Sequence, residues 1–451
     1  MRVAMRVTLV FMGVCRLFQF FLFLSFAFFV RGQTLQTVHS FHGSPYGANP
    51  STGLTEGMNG AFYGATSRGG LLDHGTIYLT STNGGEATTF SFNESNGSRP
   101  IQQLVRKNQY FYGITRFGGA FGEGTFFKTQ GGNQIAYVSF DGTNGLIPTS
   151  VVLGADGQVY GTTMSGGASN RGTIVQWKEP TFGQPSLALV KIFDFGVSDP
   201  RGPVIKASDG NFYGTSSSFG ESNLGAIFRI TTNGTLATLF SFNGTNGAAP
   251  LSLVEDTNGC FYGVTQNGGA ANFGTIFKID TAGNFTSLFS FSFYDGSKPR
   301  SLLISKSGDI FGTTSEGPYG DGTVFRLSPN GRLTTLAVFK GSNGSGPGAG
   351  LVEKDGYLYG AAISGGTVSY PGYGTIFKIS IPPLLNSAVR NGSDLILSWP
   401  TNAVTFTLQS AADLNSPTNW NDVTNPPAIV DGQFTVTNSI YENARFYRLK
   451  K

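Results

Sequence analysis

The segment Asn267–Asp280, NGGAANFGTIFKID, decides the fold because the chain repeats it with small changes. Related segments are SRGGLLDHGTIYLT from Ser67, FGGAFGEGTFFKTQ from Phe117 and SGGTVSYPGYGTIFKIS from Ser364. Three landmarks recur in order: an aromatic residue followed by Gly, a Gly followed by Thr or Ala, and a Pro shortly after a Phe. The glycines of the first landmark lie 48 to 53 residues apart, at Gly64, Gly113, Gly161, Gly214, Gly263, Gly312 and Gly360.

One repeat contains four short strands. Residues 251–291 hold LSLVED, CFYGVT, GTIFKID and FTSLFSF, which are rich in aromatic and β-branched residues. The tripeptides TNG and TAG between them are tight-turn sequences that favour antiparallel hairpins. Four antiparallel strands with this period predict a β-propeller blade, and a solenoid is the alternative repeat architecture.

The phase of the repeat predicts how the structure closes. Residues 34–41, TLQTVHSF, match the fourth strand of a repeat, whereas the last repeat stops after its third strand, GTIFKIS. If the N-terminal strand pairs with the last three strands, the ring has no free sheet edge. We therefore predict an all-β fold in which residues 33–381 form a seven-bladed β-propeller that the N-terminal strand closes.

The repeat resembles a named family. Its unit, YG-[AVT]-T-x-x-GG-x-GTIFKI-x-x-x-G-x-x-T-L-F-SF-x-G-x-N-G-x-x-P, is similar to the GloVer-type (choice-of-anchor) tandem repeat of secreted, surface-associated bacterial proteins. The match covers roughly residues 34 to 381, and the fourth repeat departs from it with SSSFGESNLGAIF. The resemblance implies an exported bacterial repeat protein and supplies no catalytic residues.

The periodicity ends at IPPLL, after Ile381. The following residues, 386–451, contain the strand-like segments DLILSW, TFTLQS, FTVTN and RFYRLK. They resemble a small β-sandwich of fibronectin type III or immunoglobulin character. Trp399 and Trp420 are then core residues rather than a platform for sugar stacking.

Residues 1–32 have the features of a secretory signal peptide. Arg2, Arg6 and Arg16 precede the apolar segment Leu17–Val30, and Gly32 follows, so we predict cleavage near Gln33. An uncleaved anchor is the alternative. The formal charge of +4 falls to about zero when the four Arg of residues 1–32 are removed, so we expect no nucleic-acid partner. From the signal peptide we expect a secreted or cell-surface location and no membrane span after cleavage.

Candidate binding residues lie in the loops between the second and third strands. The residue before the second landmark varies among repeats, and a repeated scaffold with variable loops is arranged for recognition. Drift at solvent-exposed tips is the equal alternative for any single residue. The candidates are His74, Glu123, Arg171, Phe273, Asp321 and Tyr373. We expect a monomer that binds an extracellular glycan or protein without catalysis, cofactor or metal.

Catalytic and metal-binding patterns are sparse. The three His fall within the first 74 residues without an HExxH spacing, and the DGTNG and NGTNG loops favour Asx turns over calcium sites. A carbohydrate-active hydrolase or lyase is the leading alternative, for which a pair of loop carboxylates would be needed. Five cationic residues in the third strands either cover apolar edges or form a ring for acidic glycans: Lys128, Arg229, Lys278, Arg326 and Lys378.

Overall fold

The computed structural model describes most of the residues from 35 to 450, together with Met5 and Arg6. The predicted signal peptide, residues 1–32, lies outside them apart from Met5 and Arg6. The described residues contain no helix, and therefore no helix that is long and apolar enough to span a membrane. The described ranges are 5–6, 35–180, 187–196, 200, 202–348, 350–367, 372–381, 387–391, 394–400, 407–411, 420–430, 433–439 and 446–450.

The described residues between 36 and 380 form seven larger antiparallel sheets, numbered 1 to 7 in chain order, with strands a to d, and one two-stranded sheet of Gly47–Ala48 and Arg68–Gly69. Sheet 1 comprises Thr55–Glu56, Phe62–Thr66, Thr76–Thr80 and Glu86–Ser91. Sheet 2 comprises Ser98–Lys107, Tyr110–Phe117, Thr125–Gln130 and Asn133–Ser139. Sheet 3 comprises Leu146–Leu153, Val159–Ser165, Thr173–Lys178 and Ala188–Asp194. Sheet 4 comprises Ile205–Lys206, Phe212–Ser216, Ala226–Ile230 and Leu236–Ser241. Sheet 5 comprises Ala248–Glu255, Phe261–Asn267, Thr275–Ile279 and Phe285–Ser290. Sheet 6 comprises Ser297–Ile304, Ile310–Glu316, Thr323–Leu327 and Leu333–Val338.

Sheet 7 is assembled from both ends of the repeat region. Its strand a is in two pieces, Ser345–Pro347 and Val352–Lys354, and strands b and c are Tyr357–Ser364 and Thr375–Ser380. Strand d is Gln36–Ser40, from the N-terminal end of the repeat region. The register pairs Gln36 with Lys378 and Ser40 with Thr375. The strand pairing predicted from the phase of the repeat is therefore present.

Close packing within a sheet explains the first landmark. Gly263 in strand b pairs with Phe277 in strand c. A Cβ on Gly263 would lie 2.3 Å from the Phe277 ring, closer than any side chain allows. The glycine therefore leaves room for the neighbouring aromatic ring, and the same approach recurs between Gly113 and Phe127 and between Gly312 and Phe325.

Phenylalanines hold consecutive sheets together. The Phe that follows each strand d is fully buried, and in all but sheet 2 it packs on the strand c aromatic of the next sheet, as Phe242 of sheet 4 does on Phe277 of sheet 5, with ring centroids 5.4 Å apart. After sheet 2, the corresponding strand c residue is Val175, which shares a core cluster with Phe140. Phe41, after the N-terminal strand of sheet 7, packs in the same way on Tyr78 of sheet 1 at 5.1 Å. Sheet 7 thus contacts sheet 1, and the repeated four-stranded sheets have the arrangement of a propeller-like fold.

The strands from Ser387 onwards belong to a second compact unit. One sheet contains Ala428–Val430, Gln433–Ser439, Asp394–Pro400 and Ser387–Asn391, and the other contains Asn421–Asp422, Thr407–Ala411, Phe446–Lys450 and Met5–Arg6. Both sheets contribute to one core, with Leu397, Trp399 and Val436 from the first and Leu408 and Tyr447 from the second. Trp399 is a core residue here, as predicted, and is 2% exposed.

Candidate functional site

The b–c loops and the d–a loops emerge at the same end of each antiparallel sheet, which we call the long-loop face. Backbone hydrogen bonds fix these loops. In sheet 5, Gly274 N donates to Gly268 O at 3.1 Å within the b–c loop, and Gly269 N donates to Gly244 O of the preceding d–a loop at 2.8 Å. The paired glycines supply these turns with positive φ, 78° at both Gly268 and Gly269. The face is therefore a set of constrained loops rather than free chain.

The second and third landmarks meet where neighbouring sheets join. A Cβ on Gly274 would lie 2.6 Å from Pro299 Cδ, so the Gly of sheet 5 receives the proline ring of sheet 6. The residue before this proline has a positive φ, which is uncommon for a residue other than glycine, as at Lys298, where φ is 54°. This recurs at Asn49, Arg99, Ile147 and Ala249.

The six predicted binding residues lie on this face, and the backbone carbonyls of four of them, His74, Phe273, Asp321 and Tyr373, form hydrogen bonds between neighbouring loops. The carbonyl oxygen before the second landmark accepts a hydrogen bond from the amide before the next proline. The pairs of acceptor and donor are His74 and Arg99 (2.8 Å), Leu224 and Ala249 (2.8 Å), Phe273 and Lys298 (3.1 Å), Asp321 and Gly346 (2.9 Å), and Tyr373 and Asn49 (2.7 Å). Because the carbonyl makes the bond, the side chain at this position is free to vary.

The side chains of the six do not form one cluster. Among the described residues, no hydrogen bond, ion pair or ring contact is found that joins two of these six side chains. Arg171 and Tyr373 are exposed, whereas His74, Glu123, Phe273 and Asp321 are half-buried. His74 Nδ1 lies 2.8 Å from Ser98 Oγ, and Phe273 contacts the Phe293 ring at a centroid distance of 6.1 Å.

Exposed aromatic residues dominate the long-loop face. Of the exposed aromatic side chains that the structure describes between 36 and 380, all but Tyr137 lie on this face: Tyr46, Phe117, Phe121, Phe293, Tyr294, Tyr319 and Tyr373. Only Tyr373 was among the predicted residues. The signal for others is an aromatic residue where sister repeats carry a small or polar residue, as in SFSFYDG against SFNGTNG, where Phe293 replaces Gly and Tyr294 replaces Thr.

Charged groups accompany the aromatic rings. Lys298 Nζ lies 2.6 Å from Glu316 Oε1, and both side chains are about half exposed. The hydrogen bond from Lys298 is the main cause that lowers the pKa of Glu316, so the carboxylate is ionised at neutral pH. Lys340 Nζ lies over the Tyr319 ring at 4.3 Å, and the Arg99 guanidinium lies 5.6 Å from the Phe117 ring.

The polar side chains of the d–a loops are used within their own turns. Asp141 Oδ1 accepts hydrogen bonds from the backbone amides of Thr143 (2.9 Å) and Asn144 (3.0 Å), and Asn243 Oδ1 accepts one from Asn246 N at 3.2 Å. These are the predicted Asx turns. Within the part of the chain that the structure describes, no three His, Cys, Asp or Glu side chains are grouped as metal ligands.

The cationic residues of strand c lie towards the opposite end of the sheets, where they stack on strand b aromatics. Lys128 Nζ is 3.9 Å from the Tyr110 ring centroid and 2.6 Å from Glu179, and Lys278 Nζ is 5.1 Å from the Tyr262 ring. This geometry agrees with cationic stems covering apolar surface. An open cavity of about 570 Å³ at this end is lined by Glu56, Arg106, Lys107, Asn108, Leu153 and Gly157.

Comparison with solved structures shows the fold. The chain is similar to a streptogramin B lyase, with 15% identity and a TM-score of 0.54 over 78% of this chain and 98% of that one. It is equally similar to a catalytically inactive virginiamycin B lyase from Staphylococcus aureus with quinupristin, with 15% identity and a TM-score of 0.54 over 77% and 99%. The extracellular domain of a hybrid two-component system from B. thetaiotaomicron matches with 11% identity and a TM-score of 0.52 over 93% of this chain and 55% of that one.

No curated protein matches the chain. The Gloeobacter/Verrucomicrobia repeat matches it twice in tandem, over residues 24–199 and 199–389. These two matches span most of the chain and contain all seven copies of the landmarks, which confirms the resemblance drawn from the repeat unit. The chain belongs to the Gloeobacter/Verrucomicrobia repeat family.

Proposed function

We propose that this protein is an exported, non-catalytic binding module that holds an extracellular glycan or protein on its long-loop face. In this proposal the seven sheets are the blades of a closed seven-bladed propeller, and the two C-terminal sheets form a small β-sandwich. Residues 1–32 direct export and are removed, which leaves a monomer on the cell surface or outside the cell. The family match and the leader-like N-terminus support this location.

One observation carries the proposed binding role: exposed aromatic side chains concentrate on a single face. Phe121 and Tyr319 are about 60% exposed, and Tyr294 is 77% exposed. Exposing large rings to water is unfavourable, so grouped exposed rings mark interaction sites. They supply large apolar contact areas, and Tyr adds a hydroxyl for hydrogen bonding.

The fixed backbone of the loops also favours binding. Association costs free energy whenever flexible loops and side chains become ordered. Here the hydrogen bonds of Gly274, Gly269 and their counterparts order the loops before any ligand arrives. The scaffold therefore presents variable side chains on loops that are already ordered, so that less free energy is lost to loop ordering when a ligand binds.

The test compares binding by the full chain and by two variants. In the loop-face variant, Tyr46, Phe121, Tyr294 and Tyr319 are replaced by Ser; in the control, Tyr137 of sheet 2 strand d is replaced by Ser. Both variants are first checked for an unchanged melting temperature. On glycan and extracellular-protein arrays we expect the wild type and the control to bind the same ligand and the loop-face variant to bind it at least tenfold more weakly.

Two results would contradict the proposal. Equal binding by the folded loop-face variant would show that the aromatic face is not the binding surface. Mass analysis of bound glycans after incubation provides the second test, for which we expect unchanged masses. New cleavage products would instead support the carbohydrate-active enzyme and shift attention to Asp73, Glu123, Glu221 and Asp321.

A further inference from the structure

The exposed aromatic residues of the long-loop face are unevenly distributed. At the junction of sheets 5 and 6, the Phe293 ring lies 6.1 Å from Phe273 and 5.9 Å from Tyr294. Phe273 comes from the b–c loop of sheet 5, and the other two come from its d–a loop. We call these three residues the aromatic corner, because the Phe293 and Tyr294 rings are inclined at 79° and the Phe273 and Phe293 rings at 56°.

An ion pair is fixed beside the aromatic corner. Lys298 N donates to Phe273 O at 3.1 Å, and Ser315 Oγ donates to Lys298 O at 3.2 Å, so the Lys298 backbone is held from both sides. Lys298 Nζ in turn lies 2.6 Å from Glu316 Oε1, while Ser297 Oγ donates to Glu316 Oε2 at 3.1 Å. The pair therefore presents an anchored cation and an anchored carboxylate, each still about half exposed to solvent.

The charges around the corner cancel. Lys298 and Arg300 contribute +2, and Glu316 and Asp295 contribute −2, giving a sum of zero. Asp295 is engaged by Ser292, whose hydroxyl donates to its Oδ2 at 2.5 Å. A balanced set gives no net attraction for an anionic ligand, but it offers strong charge-assisted hydrogen bonds to hydroxyl groups.

We propose that the aromatic corner and the Lys298–Glu316 pair bind one neutral pyranose unit of an extracellular polysaccharide. A pyranose has C–H faces that can pack on aromatic rings and hydroxyl edges that can donate to a carboxylate and accept from an ammonium group. Apolar walls with a few fixed polar groups are the usual composition of a small-ligand site. This inference rests on the proposed function, and it selects a glycan over a protein ligand.

The inclined rings and the exposed pair support this choice. The centre of a protein interface is typically a desolvated aromatic patch depleted of charge, with the charged groups at the rim. Here the backbone amide of Lys298, whose side chain belongs to the charged pair, is hydrogen-bonded to the backbone carbonyl of Phe273, and the Phe293 and Tyr294 rings meet at an angle instead of forming a plane. That arrangement fits a ligand whose apolar and polar surfaces alternate over one sugar ring.

The experiment measures binding of cellohexaose, mannohexaose, xylohexaose and hexagalacturonate to the full chain by calorimetry. The corner variant carries Phe293→Ala and Tyr294→Ala; a second variant carries Glu316→Gln. The matched comparison is Phe121→Ala with Tyr319→Ala elsewhere on the same face, and Tyr137→Ala is the control off the face. All variants must melt as the wild type does.

We expect at least one neutral hexasaccharide to bind more tightly than hexagalacturonate. The corner variant should lose at least tenfold in affinity and Glu316→Gln several-fold, with Tyr137→Ala unchanged. Loss of sugar binding in the Phe121 and Tyr319 variant alone would overturn the corner site while leaving a long-loop-face function intact. Wild-type sugar binding in both aromatic variants would overturn both proposals.

Two further outcomes would overturn the sugar assignment. Tighter binding of hexagalacturonate would show that the site prefers anions. If no neutral hexasaccharide binds, but a purified protein identified on the extracellular-protein array binds the wild type and not the corner variant, the occupant is a protein. In that case the long-loop face retains its proposed role and the neutral pyranose site is rejected.

Discussion

Tyr78 shows how one substitution changes a repeated position. It occupies the strand c site where Phe127, Phe277, Phe325 and Phe377 stand in other sheets, and its ring lies over Gly64 as theirs lie over their own glycines. Its side chain is fully buried, and its hydroxyl has no hydrogen-bond partner in the structure. Burial, followed by the charge of Glu86, raises the pKa of the Tyr78 phenol well above its usual range. The packing of the phenylalanine is preserved, but a polar group is left unsatisfied.

Replacing Tyr78 by Phe should stabilise the protein. A buried polar group without a partner costs about 1 to 3 kcal/mol, and its removal without change of ring shape should recover about 1 kcal/mol in the free energy of unfolding. Urea denaturation measures the change. The matched control is Tyr213→Phe, which should destabilise, because the Tyr213 hydroxyl donates to Asp209 Oδ2 at 2.6 Å. A lower stability of Tyr78→Phe would mean that the hydroxyl has a stabilising partner.

A pair of buried threonines joins strands b and c in most of the sheets. The hydroxyls lie 2.7 to 3.0 Å apart in the pairs Thr66 and Thr76, Thr115 and Thr125, Thr163 and Thr173, Thr265 and Thr275, and Thr314 and Thr323. Sheet 4 is different: Ser216 stands opposite Ala226, and among the described residues no hydrogen-bond partner is found for the Ser216 hydroxyl. The fourth repeat, which departs from the sequence pattern, therefore also lacks one element of the interior hydrogen bonding.

Restoring the threonine should strengthen sheet 4. In the variant Ala226→Thr the new hydroxyl would face Ser216, and one hydrogen bond adds about 1 kcal/mol to the free energy of unfolding. Urea denaturation of the full chain checks this value. Ala226→Val is the control, since it adds similar volume without a hydroxyl and should not stabilise. Equal effects of the two substitutions would assign any gain to packing instead of to a hydrogen bond with Ser216.

At the scale of the whole molecule, the repeat region is held by a strand from its opposite end. Gln36–Ser40 pairs with Thr375–Ser380, and Phe41 carries the packing onto Tyr78 of sheet 1. Lys354 of sheet 7 also forms an ion pair with Glu56 of sheet 1, and Asn49 Nδ2 donates to Ile363 O at 3.0 Å. The first and last sheets are thus joined by backbone pairing, ring packing and polar contacts.

Deleting the N-terminal strand should weaken the entire repeat region. Removal of residues 33–40 from a chain that begins at Gln33 exposes the edge of Thr375–Ser380 and its unpaired amide and carbonyl groups. We expect a lower melting temperature by calorimetry, together with more aggregation. Deletion of the same number of residues from the C-terminal end of the chain is the control and should leave the larger transition in place. Equal melting with and without residues 33–40 would refute closure by this strand.

Sequence alone determined the features that depend on local pattern. The period of Gly64 to Gly360, the turns at TNG and TAG, and the strand-like TLQTVHSF follow from backbone preferences and alternation, which act over a few residues. The family, the all-β sheets and the pairing of Gln36–Ser40 could therefore be predicted. Loop variation also indicated the face on which His74, Arg171 and Tyr373 lie, but not whether their side chains are exposed or meet.

Only the tertiary structure decided which side chains of that face work together. Phe293 and Tyr294 are exposed because the neighbouring loops leave them uncovered, while Phe291, two residues away, is buried against sheet 6. The Lys298–Glu316 pair joins strands a and b of one sheet, and its place beside Phe273 depends on the hydrogen bond between sheets 5 and 6. Such contacts arise from the register and packing of separate segments, which local sequence preferences leave undetermined.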